Sequence, residues 1–596
     1  MRKSLQNIKS STLDYLRNQF QPIHSFGDAN KFLEQLCGIN VFFRNESEFL
    51  LFMSLLRPRS VVSEAVERRD YGDFQTPRKL TDKICELFFQ DHFSPQIIIE
   101  PTFGKGSFIM SALRCFPNLN RVSGVEIYEP YCWHTKFAIL ELFIENPNLN
   151  KPLIFLYCED VFKFDFRMIE KSITNEDILV LGNPPWVTNS ELSVLNSENL
   201  PPKSNFKSYN GLNAITGKGN FDIGEYIILM MLNSFAKCKG QMAMLAKNSV
   251  IKNLLQEVPK TTYKISEMVA LRFNAKLIFN AAVEASLFKC KFGQTSKQFV
   301  CKVSSLESPN LVENEFGWVD SKFVSNVTLY GESKYFDGIC PFIWRQGVKH
   351  DCSKILELDL VDGEYVNGFN ERIGLEDDLI FGLVKSSDIQ SSLVTKPRKF
   401  IIIPQKKVGE DTSYIADRFP KLYRYLIKNL RFFLARKSSI YSGKPQFAIF
   451  GIGDYSFKPY KVAISGLYKK PIFTLVPPFK SKPVMLDDTC YFLGFDEISE
   501  SLITLAILNS ELVQKLLRAI AFIEAKRPYT KDVLMRIEML KVADCLGFEN
   551  IRSLLTQLPE YITQSLTKEK WNEFLSKNKK EQAKQVPHTL FEQTSA

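Results

Sequence analysis

Residues 97–107, Ile-Ile-Ile-Glu-Pro-Thr-Phe-Gly-Lys-Gly-Ser, join a short β-branched run to a turn that contains two glycines. Three consecutive isoleucines predict a strand that is buried on both faces, as in a parallel sheet. Glycines let the backbone of the following turn approach a ligand closely. The stretch therefore predicts the first strand of an α/β sheet with a ligand-binding turn at its carboxyl end.

Similar runs recur on both sides of this strand, and longer helix-like stretches separate them between about residues 71 and 300. This alternation predicts a parallel sheet built from βαβ units. The strongest strand candidates are 97–99, 122–125, 154–157 and 178–181, and the later candidates are 241–246 and 285–290. The pattern predicts an α/β core of the doubly wound, Rossmann-like type.

The 596 residues of the chain predict about three to five structural units. We assign 1–70 to a helical N-terminal segment, 71–300 to the core, 301–560 to an α+β module and 561–596 to a polar tail. Basic residues cluster in that module, with aromatic ones among them at 344–350, 458–461 and 526–529 and without an aromatic at 396–399.

Composition excludes several classes of protein. Hydrophobic residues make up 45% and charged residues 24% of the chain, which is typical of a globular protein and not of a disordered or fibrous one. The apolar run 226–232 is too short to span a bilayer, and the first residues lack a secretory signal. We therefore expect a cytoplasmic protein without a membrane-spanning segment, whose net charge of +10 suits a polyanionic partner.

Cysteine and histidine patterns argue against a metal centre. The 12 cysteines include no Cys-x-x-Cys pair, and the five histidines are far apart in the sequence. These spacings favour reduced thiols and give no support to a zinc site or a Ser/His triad. We expect no metal.

Each of the four best strands ends in a polar or glycine-bearing turn, at Glu100, Glu126, Asp160 and Asn183. The carboxyl ends of parallel strands line the ligand crevice of a doubly wound sheet, so we expect the four turns to converge. Glu126 lies 26 residues after Glu100, which is close to the spacing of an acid that holds ribose hydroxyls.

The turn Gly104-Lys105-Gly106 matches neither the dinucleotide fingerprint nor the phosphate loop. An acid directly before it, Glu100, suits a cationic group better than a phosphate. S-adenosylmethionine, which carries an ammonium and a sulfonium, is the cofactor that this pattern favours.

Residues 183–186, Asn-Pro-Pro-Trp, are the most specific signal in the chain. Two prolines remove two N–H donors and leave carbonyl acceptors beside the Asn183 amide. The Asn183 oxygen and the Pro184 carbonyl can accept both hydrogens of an exocyclic amine, while Trp186 stacks on its ring. We call these four residues the tetrad and expect them to bind an amino group.

With these motifs in this order, the core resembles the gamma-class DNA adenine-N6 methyltransferases of bacterial restriction-modification systems. The segment 73–77 resembles that family's leading motif, 100–108 its first core motif, 183–186 its catalytic tetrad and 221–222 a motif that flanks the cofactor. The resemblance covers about residues 71–300. It implies a class I S-adenosylmethionine-dependent methyltransferase core followed by a target-recognition module.

The resemblance also implies roles for individual residues. The catalytic residues would be Asn183, Pro184, Pro185, Trp186 and, on the far side of the base, Phe279. The cofactor-binding residues would be Phe74, Thr76, Pro77, Glu100, Pro101, Gly104, Gly106, Phe108, Glu126, Ile127, Asp160, Val161, Asn183, Pro185 and Asp222.

Two positions depart from the family pattern. The tetrad ends in Trp186 where tyrosine is more frequent, which keeps the stacking surface, and Thr102-Phe103 replaces a pair ending in Cys or Ala. Asn183 at the first position favours adenine N6 over cytosine N4 by family habit and not by strict chemistry.

The expected activity is site-specific methylation of an adenine that is flipped out of double-stranded DNA. The alternatives are an RNA or protein-glutamine N-methyltransferase and a non-catalytic DNA-binding subunit of a defence complex. No convincing P-D…(D/E)-x-K nuclease pattern occurs in 1–70 or 300–596. A restriction endonuclease, if one belongs to the system, would be a separate chain.

Overall fold

The computed structural model describes residues 1–56, 75–187 and 222–591. The chain divides into two compact units, Met1–Phe323 and Val324–Ala596. We call them unit 1 and unit 2.

Unit 1 alternates helices and strands along most of its described length. Its described α-helices are α1 (Arg2–Gln6), α2 (Ser10–Phe20), α3 (Phe26–Cys37), α4 (Glu46–Leu56), α5 (Arg78–Gln90), α6 (Ser107–Cys115), α7 (Glu129–Glu145), α8 (Arg167–Glu170), α9 (Ile223–Phe235), α10 (Asn248–Glu257) and α11 (Ala275–Phe279). Its described strands are β1 (Ile97–Glu100), β2 (Arg121–Val125), β3 (Leu153–Tyr157), β4 (Ile178–Gly182), β5 (Gly240–Lys247), β6 (Ser266–Phe273), β7 (Ala285–Lys291), β8 (Val300–Ser305), β9 (Asn314–Val319) and β10 (Lys322–Val324), whose last residue begins unit 2.

Within the described residues these strands form one sheet in the order β10-β9-β8-β6-β7-β5-β4-β1-β2-β3. Strands β1 to β5 pair in parallel, and β7 runs antiparallel between β5 and β6. The half β3-β2-β1-β4-β5 has the doubly wound order. From β1 the chain adds β2 and β3 on one side, and it then returns to add β4 and β5 on the other side of β1. The predicted Rossmann-like α/β core is confirmed.

The predicted strands coincide with observed ones to within one residue at most ends. All four residues of β1 are buried, as the triple isoleucine predicts. The sheet continues beyond residue 300 because β8 pairs in parallel with β6 and β9 pairs with β8. The first compact unit ends at Phe323, and the domain boundaries expected from the sequence stay a prediction.

The N-terminal helices cover one edge of the sheet. Ile39 forms a parallel bridge to Ile154 of β3, with backbone hydrogen bonds on both sides of it. The buried Lys136 of α7 donates to the carbonyls of Val41 and Phe42, at 3.2 and 2.5 Å. These contacts protect the edge strand β3, whose backbone groups would otherwise face solvent or another chain.

Unit 2 contains two smaller sheets and a set of helices. Among its described residues, the first sheet has the order β11-β20-β17-β18 and the second has the order β14-β13-β12-β16-β15-β19. The strands are β11 (Arg345–Gln346), β12 (Glu357–Val361), β13 (Glu364–Asn367), β14 (Arg372–Ile373), β15 (Ile380–Val384), β16 (Lys399–Ile402), β17 (Tyr460–Ser465), β18 (Phe473–Val476), β19 (Met485–Leu486) and β20 (Cys490–Phe495). The helices are α12 (Val327–Ser333), α13 (Ser353–Leu356), α14 (Ile415–Arg418), α15 (Pro420–Lys428), α16 (Leu430–Leu434), α17 (Ile498–Asn509), α18 (Glu511–Ile520), α19 (Lys531–Leu534), α20 (Met539–Leu554), α21 (Glu560–Thr563) and α22 (Lys568–Phe591).

The segment predicted as a polar tail begins as packed structure. Trp571 and Phe574 of α22 are buried, and Lys577 forms an ion pair with Glu500 of α17 at 2.9 Å. Apolar residues spaced three apart give this helix a buried face. The prediction of a polar tail considered only the lysines of the segment and not this apolar spacing.

None of the described helices is long and apolar enough to cross a membrane. Across the same described residues, no three His, Cys, Asp or Glu side chains come together in a way that could hold a metal ion. All twelve cysteines are free thiols.

Candidate active site

The carboxyl ends of the first two strands are joined through Glu126, which follows β2. Its carboxylate accepts hydrogen bonds from the backbone N–H groups of Gly104, at 2.9 Å, and Tyr128, at 2.8 Å. The third strand end joins them, because the Glu126 N–H donates to the Tyr157 carbonyl and the Glu159 N–H donates to the Glu126 carbonyl. The convergence predicted from the sequence is therefore observed for these three turns.

The glycine turn after β1 has a backbone that only glycine adopts easily. Gly104 and Gly106 have φ angles of +53° and +75°. A Cβ on Gly106 would lie 2.5 Å from Cγ2 of Thr135, so a side chain has no room there. Oε1 of Gln75 accepts from the Lys105 N–H at 3.0 Å and ties the segment before α5 to this turn.

Glu100 ends β1 and is 2% exposed. Burial raises the pKa of its carboxyl group well above the usual value, although a backbone hydrogen bond from Ile109 opposes the rise, and the nearby Glu126 carboxylate raises the pKa further. Its Oε2 atom is buried without a hydrogen-bond partner in the described residues, and so is the hydroxyl of Thr102. A buried acid in this state would be stabilised by a bound cation or hydrogen-bond donor.

Asp160 lies just after β3 and shapes its own turn. Its carboxylate accepts from the Phe162 N–H at 3.0 Å and lies 3.8 Å from Nζ of Lys163. The neighbouring Val161 is buried, while Ile127 after β2 is 44% exposed. The acid and the two apolar side chains thus follow adjacent strands at the same edge of the sheet.

The tetrad follows β4, next to β1 in the sheet. Nδ2 of Asn183 donates to Oγ1 of Thr76 at 3.2 Å. A Cβ on Gly182, one residue before the tetrad, would lie 3.6 Å from Cγ of Glu100. The predicted amine site and the predicted cofactor acid are therefore close neighbours.

The start of α9 packs against the tetrad. Asp222 caps this helix by accepting from the Gly224 N–H at 3.0 Å, and it accepts from Nζ of Lys247 at 2.7 Å. Burial raises the pKa of Asp222, although the hydrogen bond from Lys247 opposes the rise. A Cβ on Gly224 would lie 3.4 Å from both Pro184 Cγ and the Pro185 carbonyl oxygen.

Three aromatic rings enclose the end of the tetrad. Trp186 and Phe279 are in edge-to-face contact, with centroids 5.2 Å apart and planes at 73°. Phe273 lies 6.4 Å from Trp186 and 6.0 Å from Phe279. Trp186 is 6% and Phe279 8% exposed. A planar base between two rings needs about 7 Å, or two carbon contact distances, so these rings are too close to hold one.

The remaining predicted site residues have different surroundings. Phe108 is buried in the hydrophobic core of unit 1, Pro101 is also buried, and Pro77 precedes α5 as an exposed N-cap. Phe74, like Asp73 and Phe221 of the resembling motifs, lies outside the described residues.

Sequence reasoning missed Lys247 and Phe273, which contact Asp222 and Trp186. Lys247 directly follows the predicted strand 241–246, so the rule that selected the other strand ends could have found it. Phe273 ends β6, which the sequence analysis does not predict.

The chain is similar to a relative of known type. No family model matches it. The Type II methyltransferase M.NspV from Nostoc sp. is 35% identical over 472 residues, which are 79% of this chain and 96% of that protein.

Solved structures are more distant. The Type IIL restriction-modification enzyme MmeI in complex with DNA is 13% identical, with 84% of this chain and 72% of that chain covered and a TM-score of 0.48. The Type IIG restriction endonuclease BpuSI is 12% identical, with 85% and 65% covered and a TM-score of 0.33. The identity to M.NspV over nearly its whole length decides the relationship, and the chain belongs to the Type II methyltransferase family.

Proposed function

We propose that the protein methylates N6 of an adenine in double-stranded DNA, with S-adenosylmethionine as the methyl donor, as part of a restriction-modification system. The observation that carries this proposal is the adjacency of two sites. Glu100 ends β1 as a buried acid with an unpartnered oxygen among the described residues, and the tetrad begins one residue after the end of the neighbouring β4. A cation site beside an amine site is what methyl transfer from a sulfonium to an amine requires.

The residues at the first site fit S-adenosylmethionine. Oε2 of Glu100 would accept from the ammonium group of the cofactor, which removes the cost of its burial. Glu126 already accepts two N–H groups, and a carboxylate with about four acceptor positions can take ribose hydroxyls as well. Asp160 would hold the adenine amino group. When bound, the cofactor supplies a methyl group whose bond to sulfur breaks as the acceptor nitrogen attacks.

The tetrad would orient the acceptor. The hydrogen bond from Asn183 to Thr76 fixes the amide plane and places its nitrogen at Thr76. The Asn183 oxygen and the Pro184 carbonyl would accept the two hydrogens of the adenine amine and draw its lone pair out of conjugation. The amine itself is the nucleophile, so no covalent enzyme intermediate is needed.

The aromatic rings would bind the flipped base after they separate. Trp186 and Phe279 have centroids 5.2 Å apart, and a stacked base requires about 7 Å. We propose that entry of the base replaces the contact between the two rings with two ring-base contacts. Unpairing the base costs a few kcal/mol, which this stacking offsets in part.

Target recognition would belong to residues 301–560, most of which lie in unit 2. DNA binding needs cations for the phosphates and polar or apolar groups for the bases, and the basic-aromatic stretches of this region supply both kinds. The net charge of +10 is consistent with such a partner. A cognate endonuclease would be encoded separately.

The first experiment measures transfer of labelled methyl from S-adenosylmethionine to unmethylated genomic DNA and maps the modified base by single-molecule sequencing. We expect N6-methyladenine at one recurrent motif. N4-methylcytosine would correct the acceptor, and transfer to RNA or protein alone would favour the alternative substrates. Cofactor binding without transfer to any substrate would favour a non-catalytic subunit.

A variant tests the role of the tetrad. Asn183→Ala should lower kcat by about 100- to 1,000-fold, the usual cost of removing one preorganised polar group, and leave cofactor affinity within about two-fold. Asn118→Ala, which removes a hydrogen bond from an exposed asparagine to Ser94, is the matched control and should retain full activity. Near-normal transfer by the Asn183 variant would contradict the assignment.

A further inference from the structure

The helix α11 carries the ring that closes the base site. Asn274 caps its start by accepting from the Leu277 N–H at 2.9 Å, and Asn280 ends it in a left-handed conformation with φ +54°. It is therefore a separate turn of helix, bounded at both ends by asparagine caps.

This helix has two contrasting faces. Ala275 and Phe279 are buried, whereas Leu277 is 82% exposed, more than any other large apolar side chain in the described residues. Residues two apart on an α-helix point about 200° from each other, so Leu277 projects away from the side that contacts Trp186. The exposed Lys276 adjoins it and has no ion-pair partner among the described residues.

A single exposed leucine is common on protein surfaces and by itself has no meaning. This one lies two residues from Phe279, beside a lysine, on the helix that borders the tetrad. An apolar side chain next to a cation suits a duplex, because bases present apolar faces inside a double row of phosphates.

We propose that Leu277 enters the base stack of the duplex at the position that the target base leaves. The proposal rests on the proposed function, since it requires a flipped base. Apolar wedges of this kind unstack neighbouring bases, and Leu277 would fill the gap while Lys276 holds an adjacent phosphate. Leu277 is thus a positioning residue that keeps the base outside the helix.

Leu277 and Phe279 project from opposite sides of α11. Insertion of Leu277 into the duplex is therefore coupled to the opening of the base site. A shift of α11 toward the duplex moves Leu277 into the stack and draws Phe279 away from Trp186. The space between the two rings then grows from the 5.2 Å of the present contact toward the distance that a base needs. Insertion and opening are one movement of one short helix.

The test compares Leu277→Ala with wild type on duplexes that contain the methylation motif found in the first experiment. One duplex is fully paired and a second lacks the base opposite the target adenine. Each duplex is prepared once with 2-aminopurine at the target position, whose fluorescence reports unstacking. It is prepared again with adenine there, because 2-aminopurine lacks the 6-amino group that accepts the methyl, and transfer to the adenine duplex gives kcat and KM. Leu50→Ala, which removes a 57% exposed leucine of α4 and lies outside the core and the target-recognition region, is the matched control.

We expect Leu277→Ala to lower kcat/KM and the fluorescence rise by about ten-fold on the paired duplex, the effect of losing one buried leucine contact. On the duplex with a missing base the difference should shrink to within about two-fold, because that target is already unpaired. Cofactor affinity and thermal stability should match those of wild type and of Leu50→Ala.

Two results would overturn the proposal. One is an activity of Leu277→Ala within about two-fold of wild type on the paired duplex, and the other is an equal loss on both duplexes, which would indicate a general structural role. Failure of the wild-type protein to methylate either duplex would instead contradict the proposed function, so the two failures are distinguishable.

Discussion

Glu100 in unit 1 and Glu357 in unit 2 are both buried glutamates at strand ends, yet their pKa values shift in opposite directions. Glu100 has an oxygen without a partner in the described residues, and burial raises its pKa well above the usual value. Burial would also raise the pKa of Glu357, but hydrogen bonds from His350 and Lys385 outweigh it and lower the pKa to about 2. Lys385 Nζ lies 2.7 and 2.8 Å from the two carboxylate oxygens.

The difference separates a ligand-binding acid from a structural one. A buried carboxylate whose two oxygens both contact a cation already has its partner. It stabilises the fold and has few acceptor positions left for a ligand. A buried acid without a cation lowers the stability of the free protein and gains when a cation binds. Perturbed acids of the second kind are typical of functional sites.

The largest expected effect is on cofactor binding. Glu100→Gln should weaken S-adenosylmethionine binding by about 100- to 1,000-fold, because it removes one partner of a buried charge pair. Glu357→Gln should change the same affinity by less than about two-fold, because its carboxylate already has a cation. Isothermal titration calorimetry measures the S-adenosylmethionine affinity of both variants. Equal affinities would show that the two glutamates do not differ as ligand-binding and structural acids.

The next effect is on the stability of unit 2. Glu357→Gln should lower its free energy of unfolding by about 2 kcal/mol, since the lysine loses its charged partner. Glu364→Gln, which breaks the exposed pair with Arg372, is the control and should cost less than about 0.5 kcal/mol. Because the folded pKa of Glu357 is lowered, its contribution is present above pH 4.5 and is lost as the pH falls toward 2. Denaturant unfolding at about pH 7 and about pH 3 measures both, and a variant deficit as large at the lower pH as at the higher would contradict the role of the charge.

A smaller effect concerns the acid that joins three strand ends. Glu126→Ala should weaken cofactor binding by about ten-fold, because it removes the proposed ribose contact and two backbone hydrogen bonds of the turn. Glu159→Ala, an exposed neighbour, should bind normally. If Glu126→Ala bound like Glu159→Ala, the ribose assignment would fail.

The smallest expected effect is on the stability of the cofactor-free protein. A raised pKa in the folded state means that Glu100 costs stability increasingly as the pH rises above its unfolded value of 4.5. Glu100→Gln should therefore melt a few degrees above wild type at about pH 8 and near it at about pH 5. Differential scanning calorimetry at both values gives the comparison. A variant that melts below wild type at the higher pH would show that the hydrogen bond from the Ile109 backbone outweighs the burial of the carboxylate.

Local patterns explain why much of the core was predictable. The strand 97–99 follows from three isoleucines in a row, and the tetrad 183–186 from two adjacent prolines after a strand. Convergence of the turns follows from the geometry of parallel sheets once those strands are assigned. Each of these inferences needs residues that are close together in the chain.

Other features depend on contacts between distant segments. The contact between Trp186 and Phe279, the ion pair of Asp222 with Lys247 and the bridge from Ile39 to Ile154 have no local signature. The same holds for the state of the acids, since Glu100 and Glu357 are the same residue type in the sequence.

Side-chain periodicity and turn chemistry are local properties, so the sequence was enough to predict the parallel core, the order of its motifs and the acids at its strand ends. The folded structure was needed to show which acid has a cation within reach, how closely Phe279 contacts Trp186 and which leucine of unit 1 projects from the helix beside it. These depend on burial and on partners brought together by folding, and the energy of a buried charge changes most with its immediate surroundings.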